Sequence, residues 1–265
     1  MLVDSHCHLD YDTFAEDGLS NVIARAREVG VQQMLTICVR IAEFERVLKT
    51  AQASPYLDCT VGTHPHQADE EAEKKFTTDD IIKLAENESV VGIGETGLDY
   101  FYDNAPVKAQ KENFRKHIKA AIALDLPIII HSRDADEDMI QMLRDEGQGK
   151  LRGVLHCFSS GPELCKAALD LGFYISISGI ITFKKAEELR EIVRTLVPLD
   201  RLLVETDAPY LAPVPMRGKT NEPSFVVHTA RAVAELKNIT EDELAQVTTQ
   251  NYFTLFNKAE KRQPA

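Results

Sequence analysis

His6, His8, Glu95, His131, His156 and Asp207 are six side chains able to ligate a metal, and each stands where a run of β-forming residues stops. Imidazoles and carboxylates gathered in this way suit a divalent cation and metal-assisted hydrolysis, because the cation acidifies water and stabilises negative charge on the attacked group. In Asp4-Ser5-His6-Cys7-His8 the alternation of a strand sends His6 and His8 to one face and Cys7 to the other, so H-x-H forms a preformed pair of ligands. Glu95 follows Val90-Val91-Gly92-Ile93-Gly94, whose glycines leave room for close approach, and a carboxylate there can bridge two cations. His131 and His156 end the short apolar runs 128–130 and 154–155, at matching places on consecutive strands. Asp207 ends the run 202–206, where its carboxylate can hold a metal and accept a proton from metal-activated water. Asp207 is therefore the candidate base and Glu95 the candidate bridge.

A second tier of residues surrounds these six. Glu205 lies two residues before Asp207, and Asp4 bears the same relation to His6, so both are expected to face the barrel interior and to orient ligands or share a proton. The competing reading is a buried polar pair of purely structural value. His64, in Gly62-Thr63-His64-Pro65-His66, is expected to contact substrate or a ligand, with His66 on the loop surface. Arg133, Arg217 and Lys219 are candidates to grip phosphate oxygens. Tyr100, Phe101 and Tyr102 either stack on a base or pack the loop that follows Glu95. Cys7, Cys38 and Cys157 lie in or beside strands and read as small buried apolar residues rather than nucleophiles.

The elements that must position this set recur along the whole chain. Residues 2–5, 34–39, 58–62, 90–94, 127–130, 153–155, 173–178 and 201–206 are strand candidates, separated by stretches of helical periodicity. Helix signals include Ser20 and Gly30 around 21–29, Thr78 with Asp79 and Asp80 before Leu84, Pro106 opening a helix that ends near Asp125, and Gly161 with Pro162 opening another. Thr240 with Glu243 forms a capping box for a last helix, 241–257, outside the repeat. Strands separated by helices run parallel and bury both faces, which suits Pro127-Ile128-Ile129-Ile130. Eight repeats favour a closed (β/α)8 TIM barrel, one domain over 1–265, with the ligands at the C-terminal ends of the strands. An open doubly wound sheet is disfavoured: no G-x-G-x-x-G turn follows the first strand, and an open sheet would not bring strands 1, 4, 5, 6 and 8 together.

The net charge of −12 argues against a protein that coats nucleic acid through a broad basic surface. Two divalent ions among mostly neutral ligands could still make the pocket locally positive. Five cysteines without a C-x-x-C pair disfavour a disulfide framework, and no apolar run approaches the ~20 residues of a membrane span. With no leader before the first strand, the expected location is cytoplasmic, and no obligate protein partner is evident.

Six stretches together resemble the TatD family of metal-dependent deoxyribonucleases: Asp4-Ser5-His6-Cys7-His8-Leu9, Gly62-Thr63-His64-Pro65, Gly92-Ile93-Gly94-Glu95-Thr96-Gly97-Leu98-Asp99-Tyr100, His131-Ser132-Arg133-Asp134-Ala135, Gly153-Val154-Leu155-His156-Cys157-Phe158 and Glu205-Thr206-Asp207-Ala208-Pro209-Tyr210-Leu211-Ala212-Pro213. They occur in family order across nearly the whole chain. The resemblance implies an amidohydrolase-type barrel whose divalent centre, held by His6, His8, Glu95, His131, His156 and Asp207, cleaves phosphodiester bonds at DNA 3′ ends as a 3′ to 5′ exonuclease. The family also contains hydrolases of other bonds, including deacylases of misacylated transfer RNA. From the residues alone the expectation is narrower, a metal-assisted hydrolase site on a parallel barrel; the hypothesis built on it is two divalent ions (Mg, Mn, Zn, Co or Ni) bridged by Glu95, with water as nucleophile. A small-molecule amidohydrolase is the rival enzyme, and a metal protein that binds a nucleotide without turnover is the rival of another class.

Overall fold

The structure, a computed structural model, describes residues 1–14 and 17–259. Eight parallel strands form one sheet in chain order: β1 (Leu2–Cys7), β2 (Val31–Thr36), β3 (Leu57–Val61), β4 (Val90–Asp99), β5 (Ile128–Arg133), β6 (Gly153–Leu155), β7 (Tyr174–Ile177) and β8 (Leu202–Val204). Seven crossover helices lie between them: α1 (Leu19–Glu28), α2 (Phe44–Gln52), α3 (Thr78–Ala85), α4 (Val107–Leu124), α5 (Asp136–Asp145), α6 (Pro162–Asp170) and α7 (Glu187–Thr195). Two more, α8 (Val226–Lys237) and α9 (Glu241–Leu255), follow β8. This is the (β/α)8 TIM barrel that the alternation of elements implies.

Every strand but β3 divides its apolar residues between two cores, as a parallel sheet requires, and β3 alternates Leu57, Cys59 and Val61 with the polar Asp58 and Thr60. Ile129 packs inside the barrel with Val3, Leu35, Val91, Val154 and Leu203, whereas Ile128 and Ile130 face the helices. Tyr252, Leu255 and Phe256 complete the interior cluster. The helix outside the eightfold repeat therefore closes the N-terminal end of the barrel, opposite the proposed site. Its start is the expected capping box of Thr240 and Glu243; the equivalent box at α3 uses Thr77 and Asp80, one residue before the expected start.

The barrel closes between β1 and β8 by contacts beyond the short β8 ladder. Asp207 N donates to His6 O (2.9 Å), His8 N donates to Ala208 O (2.8 Å), and the Ser5 hydroxyl donates to Val204 O (3.0 Å). Asp4 accepts from Thr206 N (2.8 Å) and Thr206 Oγ1 (2.5 Å). The β1–β2 register shifts between Asp4 and Cys7, so strict alternation does not carry across these residues. Asp4, expected to act on the same centre as His6, instead fastens this seam, and through it the chain that carries Asp207. Burial raises its carboxyl to about 8 against the opposing effect of the Thr206 hydrogen bonds.

The other departure is β4, which runs to Asp99 rather than ending before Glu95. Pairing with β5 extends it, with Gly97 opposite His131 and Asp99 opposite Arg133. Two glycines permit the tight approach that places Glu95 centrally. A Cβ at Gly62 would lie 2.5 Å from Gly94 Cα, and one at Gly94 (φ 140°) would lie 2.6 Å from the Ile129 carbonyl oxygen.

Candidate metal centre

Glu95 sits at the centre of the C-terminal mouth, 2% exposed, with its two oxygens facing different sets of side chains. Its Oε2 lies 3.3 Å from His6 Nε2 and 4.0 Å from His8 Nε2. Asp207 Oδ1 completes that side, 3.7 Å from His6 Nε2 and 3.4 Å from His8 Nε2. Glu95 Oε1 lies 2.7 Å from His156 Nε2, 3.1 Å from His131 Nδ1 and 3.3 Å from His64 Nε2. Four candidate histidine ligands thus converge on Glu95, Asp207 joins two of them, and the rings of His6 and His156 stack at 3.8 Å.

Hydrogen bonds behind the rings of His131, His156 and His64 decide which nitrogen these three present. His131 Nε2 is 2.8 Å from Asp99 Oδ2, which draws the proton there and turns Nδ1 toward Glu95. His156 Nδ1 faces Glu205 Oε1 at 3.3 Å, leaving Nε2 inward, and the same oxygen accepts from Cys157 N (2.7 Å). Glu205 therefore orients His156 from behind. His64 differs. Its Nδ1 accepts the His66 backbone N–H (3.1 Å), so the neutral ring carries its proton on Nε2 and donates toward Glu95. Burial drives the His64 imidazolium down to about 4, keeping the ring neutral.

Burial opposes ionisation of Glu95, yet the His156 and His64 rings and the hydrogen bonds from His131 and His156 outweigh it and hold the carboxyl well below its usual range. Asp207 is lowered in the same way, burial being overcome chiefly by His8. Among the described residues, His6 Nδ1 and Nε2, His8 Nδ1 and Glu205 Oε2 are buried and form no hydrogen bond. Buried polar atoms without partners are uncommon, and His6 Nε2, which faces the Glu95 and Asp207 oxygens, is one that a divalent ion would satisfy. The donor set fits metal: His6, His8, Glu95 and Asp207 on one side, and Glu95, His131 and His156 on the other. Three groups close enough to share an ion occur here, comprising His6, His8 and Glu95; His64, Glu95 and His131; and His6, His156 and Glu205.

The centre opens into a cleft of about 1490 Å³. On its wall the Arg133 guanidinium lies 3.8 Å from the Phe101 ring centre and 4.9 Å from that of Tyr102. Those rings are 54% and 45% exposed, so they offer faces to a ligand, whereas Tyr100 packs the loop and donates its hydroxyl proton to Asp138 (2.7 Å). Arg217 and Lys219, expected to reach phosphate here, do not line the cleft: Arg217 stacks on Phe183 at 4.0 Å and both lie exposed on the rim. The proline-rich loop carries them outward past Tyr210 and Leu211, which do line it. Cys7 and Cys38 are buried as expected; Cys157 is half-buried, and burial pushes its thiol well above the ordinary value, which suits no nucleophile.

Asp99 was not singled out by residue type or spacing. Its Oδ2 lies between His131 Nε2 and His66 Nε2 (2.9 Å), and its Oδ1 accepts from the backbone of Phe101 (3.0 Å) and Tyr102 (3.1 Å). One carboxylate thereby sets both a candidate ligand and the aromatic wall, and His66 is a partner of Asp99 rather than loop surface. The available signal is parity: Asp99 follows Glu95 by an even number of residues on one strand, which puts both on the same face.

Comparison with known proteins gives the family and the fold. The family model described as TatD related DNase matches residues 3–257. The uncharacterized metal-dependent hydrolase YcfH of Escherichia coli K12 is 43% identical over 97% of this chain and 96% of its own length. The 3′-5′ ssDNA/RNA exonuclease TatD of Erwinia tasmaniensis is 38% identical over 97% of this chain and 100% of its own. The crystal structure of YJJV, a TatD homologue from Escherichia coli K12, superposes with a TM-score of 0.88 at 30% identity, covering 97% of this chain and 98% of that one. Among the described residues no helix is long and apolar enough to cross a membrane. The chain belongs to the TatD family of metal-dependent hydrolases.

Proposed function

We propose that this chain is a deoxyribonuclease of the 3′ to 5′ exonuclease type, hydrolysing phosphodiester bonds with two divalent cations. His6 Nε2, His8 Nε2, Asp207 and one oxygen of Glu95 would hold the first ion; His131 Nδ1, His156 Nε2 and the other oxygen of Glu95 would hold the second. When bound, the ions supply Lewis acidity, neutralising charge on the phosphoryl oxygens and lowering the pKa of water. Mixed imidazole and carboxylate donors accept Mn, Zn, Co or Ni and tolerate Mg.

The chain's own residues supply the rest. Asp207, a carboxylate at neutral pH, accepts the proton of the attacking water. Arg133 binds non-bridging phosphate oxygens, and Phe101 and Tyr102 stack on the terminal base. His64 donates its Nε2 proton to Glu95 and holds it in place, while Glu205 and Asp99 lock the rings of His156 and His131.

The observation that carries this reading is the guanidinium between two exposed aromatic rings on the wall of a wide cleft, beside the double donor set. A wide cleft open to solvent suits an extended polymer better than the small neutral substrate of a closed apolar pocket. The exonuclease name of the Erwinia relative points the same way. The test is incubation with 3′-labelled single-stranded DNA, a dinucleotide and an aminoacyl-RNA, each with and without chelator. Release of 3′ mononucleotides that stops on chelation and returns with Mg²⁺ or Mn²⁺ is expected. Deacylation of the aminoacyl-RNA without DNA cleavage, or cleavage by metal-free protein, would overturn it.

A smaller effect is expected behind the ligands. Asp99→Asn keeps the size of the side chain but loses the charge that draws the His131 proton to Nε2. Metal affinity is expected to fall by about 10–100-fold, read by calorimetric titration of the metal-free protein. An unchanged isotherm would show that Asp99 serves packing alone.

A further inference from the structure

We infer that the loops after β7 and β8 form one basic track, outside the cleft, for the 5′ continuation of the nucleic-acid strand whose 3′ end is cleaved. The inference rests on the nuclease reading above and extends it to the part of the substrate that does not react.

Lys184, Lys185, Arg217 and Lys219 are all exposed on these two loops. The chain carries a net charge of −12, and many of its arginines are paired, as in Arg25 with Glu222, Arg40 with Glu70 and Arg115 with Glu146; lysines without an ion pair are common on it, so what marks these four is that they gather on two touching loops. None of the four track cations has an ion-pair partner among the described residues. Glu187, one of the two carboxylates that open α7, is held by Arg190 instead. Unpaired cations gathered on an acidic body are what an external polyanion would neutralise.

The two loops form one surface. Arg217 lies over the ring of Phe183, directly before Lys184 and Lys185. Val214 N donates to Thr182 Oγ1 (2.9 Å), and a Cβ at Gly179 would lie 2.3 Å from the Leu211 carbonyl oxygen. Arg190 fixes the first loop from beneath, donating to the carbonyls of Ile181 (3.0 Å) and Phe183 (2.8 Å). The cations are thus carried on braced backbone. The surface is also continuous with the site, because Ile180 of one loop and Tyr210 and Leu211 of the other line the cleft. A strand leaving the centre past Tyr210 would run onto the track.

The test compares the wild-type holoenzyme with the variant Lys184→Glu, Lys185→Glu, Arg217→Glu, Lys219→Glu on a single-stranded 12-mer and on a dinucleotide, across a salt series. For the 12-mer, KM is expected to rise at least ~10-fold at low salt. The slope of log(kcat/KM) against log salt is expected to flatten by up to about 2.8, from ~0.7 per phosphate contact on a single strand. Kinetics on the dinucleotide, too short to reach the loops, are expected to stay unchanged. The glutamine version of the four should give a weaker shift in the same direction. Equal effects on both substrates, or none on either, would overturn the track. A wild-type enzyme that cleaves neither substrate would instead bring down the nuclease reading on which it rests.

Discussion

Glu95→Gln is expected to cost at least ~10³-fold in kcat/KM on single-stranded DNA, about 4 kcal/mol of transition-state stabilisation. The reason is geometric. Glu95 presents Oε2 to His6 and His8 and Oε1 to His131 and His156. A glutamine offers one oxygen, and its NH₂ group presents donors to the imidazoles on the other side, so at most one set still faces an oxygen able to ligate. The charge is lost as well, in a place where burial makes every interaction stronger than in water. Metal content measured by atomic emission should fall by at least one ion per chain, while circular dichroism and thermal unfolding show a folded barrel. Two ions retained with activity within tenfold of wild type would remove Glu95 from its proposed role.

Asp207→Asn is expected to lower kcat by about 10²–10⁴-fold, the range associated with a positioned general base. Asparagine is the informative choice because Asp207 has φ 58°, a left-handed conformation that asparagine tolerates and alanine resists. The backbone bond from residue 207 to the His6 carbonyl that helps close the barrel survives the change. Asparagine also keeps an oxygen able to ligate, so the replacement separates proton acceptance from metal binding more cleanly than a truncation would. Steady-state kinetics with saturating metal read the effect. Near wild-type turnover by metal-loaded protein would mean that the proton leaves by another route.

The six converging residues are legible in the chain because a parallel barrel marks its mouth in sequence. Each strand is an apolar run, and the first polar residue after it stands at the C-terminal rim; His131 and His156 follow Ile130 and Leu155 in this way. The eight strands are legible for the same reason. What periodicity does not carry is structure set by pairing between distant segments. Thr96-Gly97-Leu98-Asp99 has no strand composition, and only its register against His131 and Arg133 makes it β and brings Asp99 behind His131. The contact of Asp4 with Thr206 is likewise set by the meeting of β1 with the chain after β8, which its spacing from His6 does not show. Arg217 and Lys219 sit in a proline-rich loop whose path depends on what it rests upon, here Thr182 and Phe183, so their residue types suggest an anion while their place lies outside the cleft.

The central claim is a pair of cations sharing Glu95, and anomalous diffraction from crystals of the Mn²⁺-loaded protein tests it most directly. The account predicts two peaks flanking Glu95, one against His6, His8 and Asp207 and the other against His131 and His156. A single peak, or peaks away from Glu95, would contradict it.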